Sequence, residues 1–406
     1  MKTDVLVIGA GPAGTVAAAM LLKAGHQVTI IEKENFPRFV IGESLLPRCM
    51  VAFDEAGFLP AIEAYGFQKK YGATFLRGDE KCVFDFSEQF TKGWSWTWQV
   101  PRDEFDHLLA KEVQKQGAIL HFGTMVTDIQ FFDDYQLTKI QVENQVISEI
   151  KSKFIIDASG YGRVIPNILD LNLPSSLGSR SSIFAQLNDI NRPNDESGNR
   201  ITIVDHQSGV WVWIIPFSNG KTSVGFVAPP EFIEQYSGNI SEKLRAMLSD
   251  VPLIKSRFQN ADFTYEAKLI PSYSIGVKQL YGNGFVLTGN ATEFLDPVFS
   301  SGVTFAVESG LAAGKLAGKQ LNGEYVDWET DYAKHIMQGV ETFRTFVNSW
   351  YNDDLQTIFF APNGNQRVKE QICSVLAGYV WDKKNTYVRN HRAAVGTLAG
   401  MIRGAE

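Results

Sequence analysis

An unbroken apolar run, Val5–Ile8, opens the chain and predicts a strand buried on both faces. It leads into Gly9-Ala-Gly11-Pro12-Ala13-Gly14, and residues 15–23 then carry the pattern of a helix. A second apolar stretch, 27–32, predicts a parallel partner strand ending in Glu32. Alternation of apolar and polar positions predicts further strands at 73–77, 82–86 and 95–100. Residues 103–116 read as a helix with Phe105, Leu108, Leu109 and Val113 on one face and Gly117 just past its end. Short strands are expected over 118–157. A mostly antiparallel sheet is expected over 180–275, with strands at 182–187, 201–204, 210–215 and 222–227. Residues 285–289 return as a buried strand, a helix of small residues follows at 302–316, and the C-terminal stretch is helical and rich in aromatics, among them Phe343, Phe346, Trp350, Tyr351, Phe359 and Phe360.

The order strand, glycine loop, helix, strand, acid has a chemical meaning. Gly9 permits a tight turn, Gly11 lets backbone approach a pyrophosphate, and Gly14 lets helix and strand pack closely. The free N–H groups and positive end of the helix favour phosphate, and Glu32 suits the hydroxyls of an adenosine ribose. A dinucleotide site is the expectation.

Composition narrows the remainder. With 406 residues, 44% of them hydrophobic and 20% charged, the chain suits two interlocked domains and an appendage. A net charge of -7 without a basic cluster argues against nucleic acid. Cys49, Cys82 and Cys373 are widely spaced and the six histidines are scattered, so no metal site is expected. The cysteines suggest a reducing compartment, the N-terminus leaves no room for a signal peptide, and no stretch approaches the ~20 apolar residues of a membrane span. A cytoplasmic protein is expected.

Three further segments resemble one family. Residues 36–47 read F-P-R-F-V-I-G-E-S-L-L-P, Trp211-Val-Trp213-Ile-Ile215-Pro216 reads W-x-W-x-I-P, and residues 294–302 carry F-x-x-P-x-x-S-x-G. In this order they resemble the flavin-dependent halogenases, over residues 3 to about 320. The resemblance implies resident FAD, used as FADH2, on a para-hydroxybenzoate-hydroxylase-like α/β fold related to geranylgeranyl reductases. A Rossmann-like FAD-binding domain (1–70, 100–165 and 276–325) would carry an inserted, mostly antiparallel β-sheet substrate domain (71–99 and 166–275). A C-terminal helical region (326–406) would follow.

Besides Gly9, Gly11, Pro12, Ala13, Gly14 and Glu32, the resemblance assigns cofactor contacts to Lys33, Arg38, Ser44 and Arg102. It adds Asp157 of Asp157-Ala-Ser-Gly160 with Arg163, and Gly289, Asn290, Asp296, Gly302 and Val303. Relatives mostly carry Asp where this chain has Asn290, and asparagine retains an acceptor. Halide, chloride or bromide, would sit against the N–H groups of Ser301 and Gly302 at a helix start. Lys70, just before Tyr-Gly-Ala-Thr-Phe, would hold or activate hypohalous acid, with Trp211 and Trp213 separating flavin from substrate. Phe299 stands where tryptophan halogenases carry glutamate, which points to a phenol- or pyrrole-like aromatic, free or carrier-bound. A single glycine-loop unit implies a separate flavin reductase. An aromatic monooxygenase, a geranylgeranyl-reductase-like alkene reductase and a non-catalytic flavin-binding redox sensor remain open at this point.

Overall fold

The computed structural model describes residues 1–404 apart from 143–145, 176, 272–273 and 363; parts of the strand expectations over 118–157 and 180–275 therefore lie outside the described residues. Val5–Ile8 forms the middle of a six-stranded sheet, fully buried as its apolar run requires. Its parallel neighbours are Phe154–Asp157 and Val28–Ile31, followed outward by Phe285–Leu287 and Ile119–His121. Tyr281–Gly282 closes one edge antiparallel. Strands distant in sequence thus meet side by side, and their carboxyl ends share one rim, where open α/β sheets bind ligands.

The helix Pro12–Lys23 packs along Ser301–Leu321. Contact is close because the facing residues are small: a Cβ added at Gly310 would strike the Ala13 carbonyl oxygen, and one at Gly314 the Ala17 carbonyl oxygen. The 302–316 reading ended this second helix too early. Gly314 and Gly318 look like helix breakers by propensity, but burial against the first helix outweighs their intrinsic cost of about 1 kcal/mol each.

A seven-stranded sheet stands over the rim. Its order is Lys268–Ile270, Ser181–Asn188, Lys221–Ala228, Val210–Pro216, Ile201–Gln207, Gly72–Arg77, Glu80–Asp85. Pairing is antiparallel except between Ile201–Gln207 and Gly72–Arg77. The period of two sends Trp211, Trp213 and Ile215 to the face that looks back at the first sheet. Val210, Val212 and Ile214 take the opposite face, under Ile240–Asp250 and Pro252–Phe258. Those helices fall in the stretch expected to be mostly sheet. Leu244, Met247 and Leu248 have helical spacing, and Asn239 caps the first helix with a reciprocal Glu242 bond. The helix at 103–116 starts one residue early, at Arg102, and the strand at 95–100 shrinks to Thr97–Gln99.

Thr97–Gln99 leaves the large sheet and pairs with Gln68–Lys70, setting Lys70 opposite Thr97. Lys334–Tyr351 lays Trp350 on Phe75 and Phe346 on Phe299, and the helix that follows, Asp354–Phe359, lays Phe359 on Phe75. No helix among the described residues is long and apolar enough to cross a membrane.

Gly310→Ala should lower stability by about 1–3 kcal/mol, because the new methyl has no space between the two helices. Thermal unfolding of the flavin-loaded and flavin-free protein measures this, and unaltered melting would contradict the packing described.

Candidate active site

A cavity of about 590 Å³ runs between the sheet rim and the tryptophan face of the second sheet, within the range of small-molecule and cofactor sites. Its wall includes Gly9, Gly11, Pro12, Ala13, Glu32, Lys33 and Arg38. Trp211, Trp213, Gly302, Val303, Ser44, Arg102, Gly289 and Asn290 lie on the wall as well.

Local backbone explains the glycine loop. Gly9 has φ 101° and Gly11 opens on the cavity, whereas Gly14 lies off the wall, where a Cβ would strike the Gly9 carbonyl oxygen. Glu32 is buried and fixed from both sides: Oε2 accepts from Ala10 N–H at 3.0 Å and Oε1 from Glu34 N–H at 3.0 Å. Each oxygen keeps acceptor capacity for a ribose hydroxyl.

Two cations share one buried anion beside it. Arg102 forks onto Asp106 (2.7 and 2.9 Å) and donates to the Ile41 carbonyl at 2.9 Å. Arg38 Nη1 reaches the same carboxylate at 3.2 Å. Gly42 has φ 101°, and a Cβ there would lie 2.7 Å from Arg102 Nη1. The cradle suits a diphosphate, with helix N–H groups on one side and fixed guanidinium groups on the other.

Two expected cofactor contacts are placed differently. The Asp157 carboxylate is fully buried and accepts from Ser159 N–H at 2.9 Å and Ile165 N–H at 2.7 Å, so it braces its own turn behind the wall. Asp296 accepts from Val298 N–H at 3.0 Å and from the Tyr351 hydroxyl at 2.8 Å, and it too lies off the wall. Ser301 is buried, while Ser300, at φ 58°, and Gly302 face the cavity. For Asp157 and Asp296 a short polar side chain satisfies nearby backbone at a turn before it can reach a ligand. Arg163 is likewise structural, crosslinking Asn172, the Asn290 carbonyl and the Gly276 carbonyl.

Lys70 is 2% exposed, whereas Lys69 lies on the surface over Trp96. The Lys70 Nζ donates to Ser44 Oγ at 2.8 Å and to the Leu45 carbonyl at 2.8 Å. Burial draws its pKa down to about 7. Ser44 stands on the cavity wall, so one hydroxyl separates that wall from a near-neutral amine. Glu43, next to it, also lines the cavity. It is 2% exposed, accepts from Gln186 Nε2 at 2.6 Å, and is pushed up to about 7 by burial. Both indoles are anchored: Trp213 Nε1 donates to Ser223 Oγ at 3.1 Å and Trp211 Nε1 to Tyr351 Oη at 3.0 Å.

Comparison with known proteins agrees with this geometry. Residues 2–246 match the FAD binding domain family. The chain is 30% identical to the 1H-pyrrole-2-carbonyl-(peptidyl-carrier protein) chlorinase of Pseudomonas fluorescens, covering 95% of this chain and 91% of that protein. The chain belongs to the flavin-dependent halogenases. Among solved structures, a triple mutant of the flavin-dependent brominase Bmp2 superposes with TM-score 0.84 at 26% identity, over 96% of this chain and 98% of that one. A flavoprotein/dehydrogenase from Cytophaga hutchinsonii is 55% identical with TM-score 0.98, over the whole of both chains. FAD is the cofactor of this halogenase, and the cradle described above fits it.

Glu43, Asp106, Ser223 and Tyr351 escaped the sequence reading of functional residues. Glu43 carried a signal, an acid within F-P-R-F-V-I-G-E-S-L-L-P; the other three depend on tertiary contacts alone.

The pKa of Lys70 lies near 7 in the folded halogenase and 10.5 when unperturbed, so the unfolded chain holds the extra proton between those values. Stability from this residue therefore rises with pH across that window. Glu43 acts oppositely: the folded chain holds the extra proton between 4.5 and about 7, and stability falls as pH rises through that window. Lys70→Met should raise the melting temperature at pH 6 and flatten the gain above pH 7. Calorimetry across pH checks both, and an unchanged profile would contradict burial of the amine.

Proposed function

We propose that this protein halogenates an electron-rich aromatic, phenol- or pyrrole-like, with Lys70 as the residue that delivers the halogen. The observation carrying the reading is the buried amine, drawn down to about 7 and held to the cavity wall through Ser44. Reduced FAD with O2 supplies the oxidation of chloride or bromide to hypohalous acid. The N–H groups of the helix start at Ser301, Gly302 and Val303 would hold the halide, favoured by the helix dipole. Gly9, Gly11, Pro12, Ala13, Glu32, Lys33, Arg38, Arg102, Gly289 and Asn290 would bind and orient the cofactor along the wall. Trp211 and Trp213, fixed through their N–H groups, fill the flavin-side face of the second sheet. A bulky aromatic is thereby kept from the flavin while a small oxidant is not. Neutral Lys70 can take the halogen as a haloamine, or as its ammonium hydrogen-bond the acid. Glu43, protonated below about pH 7, can donate its proton to the hypohalous oxygen that leaves as water when the halogen is transferred, the proton being returned from the amine or the ring that takes the halogen.

The substrate class rests on Phe299, buried where an acid would assist a less reactive ring, and on the pyrrole substrate named for the chlorinase relative. That relative takes its pyrrole on a carrier protein, so we propose carrier-bound and free rings as the two forms to test. With one glycine-loop unit in the sequence, reduced flavin would arrive from a separate reductase.

Protein supplied with FAD, a flavin reductase, NADH, O2 and bromide should brominate members of a panel of phenols and of free and carrier-linked pyrroles, read by the isotope doublet in mass spectrometry. Lys70→Ala should lose product at least about a hundredfold while NADH oxidation continues. Hydroxylated, unbrominated products would overturn the reading in favour of a monooxygenase.

Turnover should follow a bell centred near pH 7, rising as Lys70 loses its proton and falling as Glu43 loses its own. Glu43→Gln should lower the rate and remove the alkaline limb. A limb that persists in this variant would exclude Glu43 as its source.

A further inference from the structure

The hydroxyl of Tyr351 lies at the last turn of Lys334–Tyr351, far in sequence from all three family motifs, yet it joins two of them. Trp211 Nε1–H donates to it at 3.0 Å, and it donates in turn to Asp296 Oδ2 at 2.8 Å. The other Asp296 oxygen accepts from Val298 N–H at 3.0 Å and caps the turn Pro297–Phe299. That turn delivers the chain through Ser300, at φ 58°, into the helix start at Ser301. Pro297, Val298, Ser300 and Gly302 line the cavity on one side and Trp211 on another, so a single hydroxyl spans the wall between them.

The ring of Tyr351 is itself fixed. The Arg180 guanidinium lies 3.6 Å from its centroid and also donates to the Gly209 carbonyl, just before the tryptophan strand. The neighbouring Trp350 meets Phe299 edge-on at 6.0 Å, so the same helix end presses the turn from a second direction. A buried indole N–H and a buried carboxylate oxygen each need a partner, and one tyrosine supplies both.

We propose that Tyr351 is a positioning residue: it locks the Asp296–Gly302 turn to Trp211, and through it the C-terminal helices set the shape of the halide end of the cavity. The inference rests on the halide placement proposed above and extends it to a residue outside the flavin-binding sheet. Loss of the hydroxyl would free the turn to shift against the tryptophan strand. The N–H groups at the helix start would then no longer converge on one anion. Glu32 is held by the Ala10 and Glu34 N–H groups and Arg38 by Asp106, outside this chain of bonds, so these FAD contacts would be untouched.

The test uses the FAD-loaded protein and its Tyr351→Phe, Trp211→Phe and double variants. The first keeps the ring and its Arg180 contact and removes only the hydroxyl. Bromide is titrated while the flavin absorbance is followed, and FAD content is measured on the same samples. Tyr351→Phe should bind bromide about tenfold more weakly at unchanged FAD content, as expected for a lost hydrogen bond to a charged acceptor. The double variant should be little worse than either single one, because both cut the same chain. Unchanged bromide affinity in Tyr351→Phe, FAD loss in step with bromide affinity, or additive losses in the double variant would each overturn the proposal. A wild-type protein whose flavin spectrum ignores bromide would instead overturn the halide placement on which it rests.

Discussion

Three consecutive residues, Glu43-Ser44-Leu45, tie the cofactor cavity to the buried lysine, and the rest of the site is arranged around them. The stretch is held as an added strand beside Thr97–Gln99: Val100 N–H donates to the Glu43 carbonyl at 2.7 Å and Leu45 N–H to the Trp98 carbonyl. Those bonds fix Glu43 and Ser44 on the cavity wall while the Leu45 carbonyl and Ser44 hydroxyl receive the lysine. On its far side Thr97–Gln99 pairs with Gln68–Lys70, which brings Lys70 to the same patch. An extended segment can serve both directions because its backbone bonds lie in the plane of pairing and its side chains leave that plane.

Burial sets the chemistry more than any single charge pair does. Lys70 and Glu43 are both taken out of water, and each is driven toward its neutral form because desolvation penalises the charge. The result is an amine and a carboxyl that both exchange protons near neutrality, a few residues apart on one strand patch. Beside the glycine loop the opposite solution is used. Asp106 is equally buried but stands between Arg38 and Arg102, so two guanidinium groups are held ready beside the glycine loop. The site thus combines a fixed guanidinium pair suited to phosphate with an amine and a carboxyl that titrate near pH 7.

The appended helices belong to this arrangement. Their aromatics do not form a core of their own; they complete the one between the two sheets, where Phe75, Phe84, Trp350 and Phe359 meet within a few ångströms. An aromatic cluster of this kind resists compression, so a displacement of the helix end carrying Trp350 and Tyr351 is transmitted to whatever those rings touch.

The sequence by itself determined the dinucleotide-binding strand–loop–helix unit, because a buried parallel strand, a tight glycine turn and an acid at the next strand end are local demands written in neighbouring residues, whereas the flavin fold was legible only through the resemblance carried by the three motifs. It also determined the tryptophan face, since a period of two leaves Trp211 and Trp213 no choice but to share a side. Lys70 was legible through the motif around it, though nothing in the local pattern distinguished its burial from the exposure of Lys69. The tertiary structure alone decided that the carboxylates of Asp157 and Asp296 stand behind the wall, and that Asp106 and Tyr351 stand where they do. A short polar side chain can satisfy a turn or reach a ligand, and a distant residue can approach or miss a site. Both outcomes depend on which backbone groups the fold brings within about 3 Å, a distance that no spacing along the chain encodes.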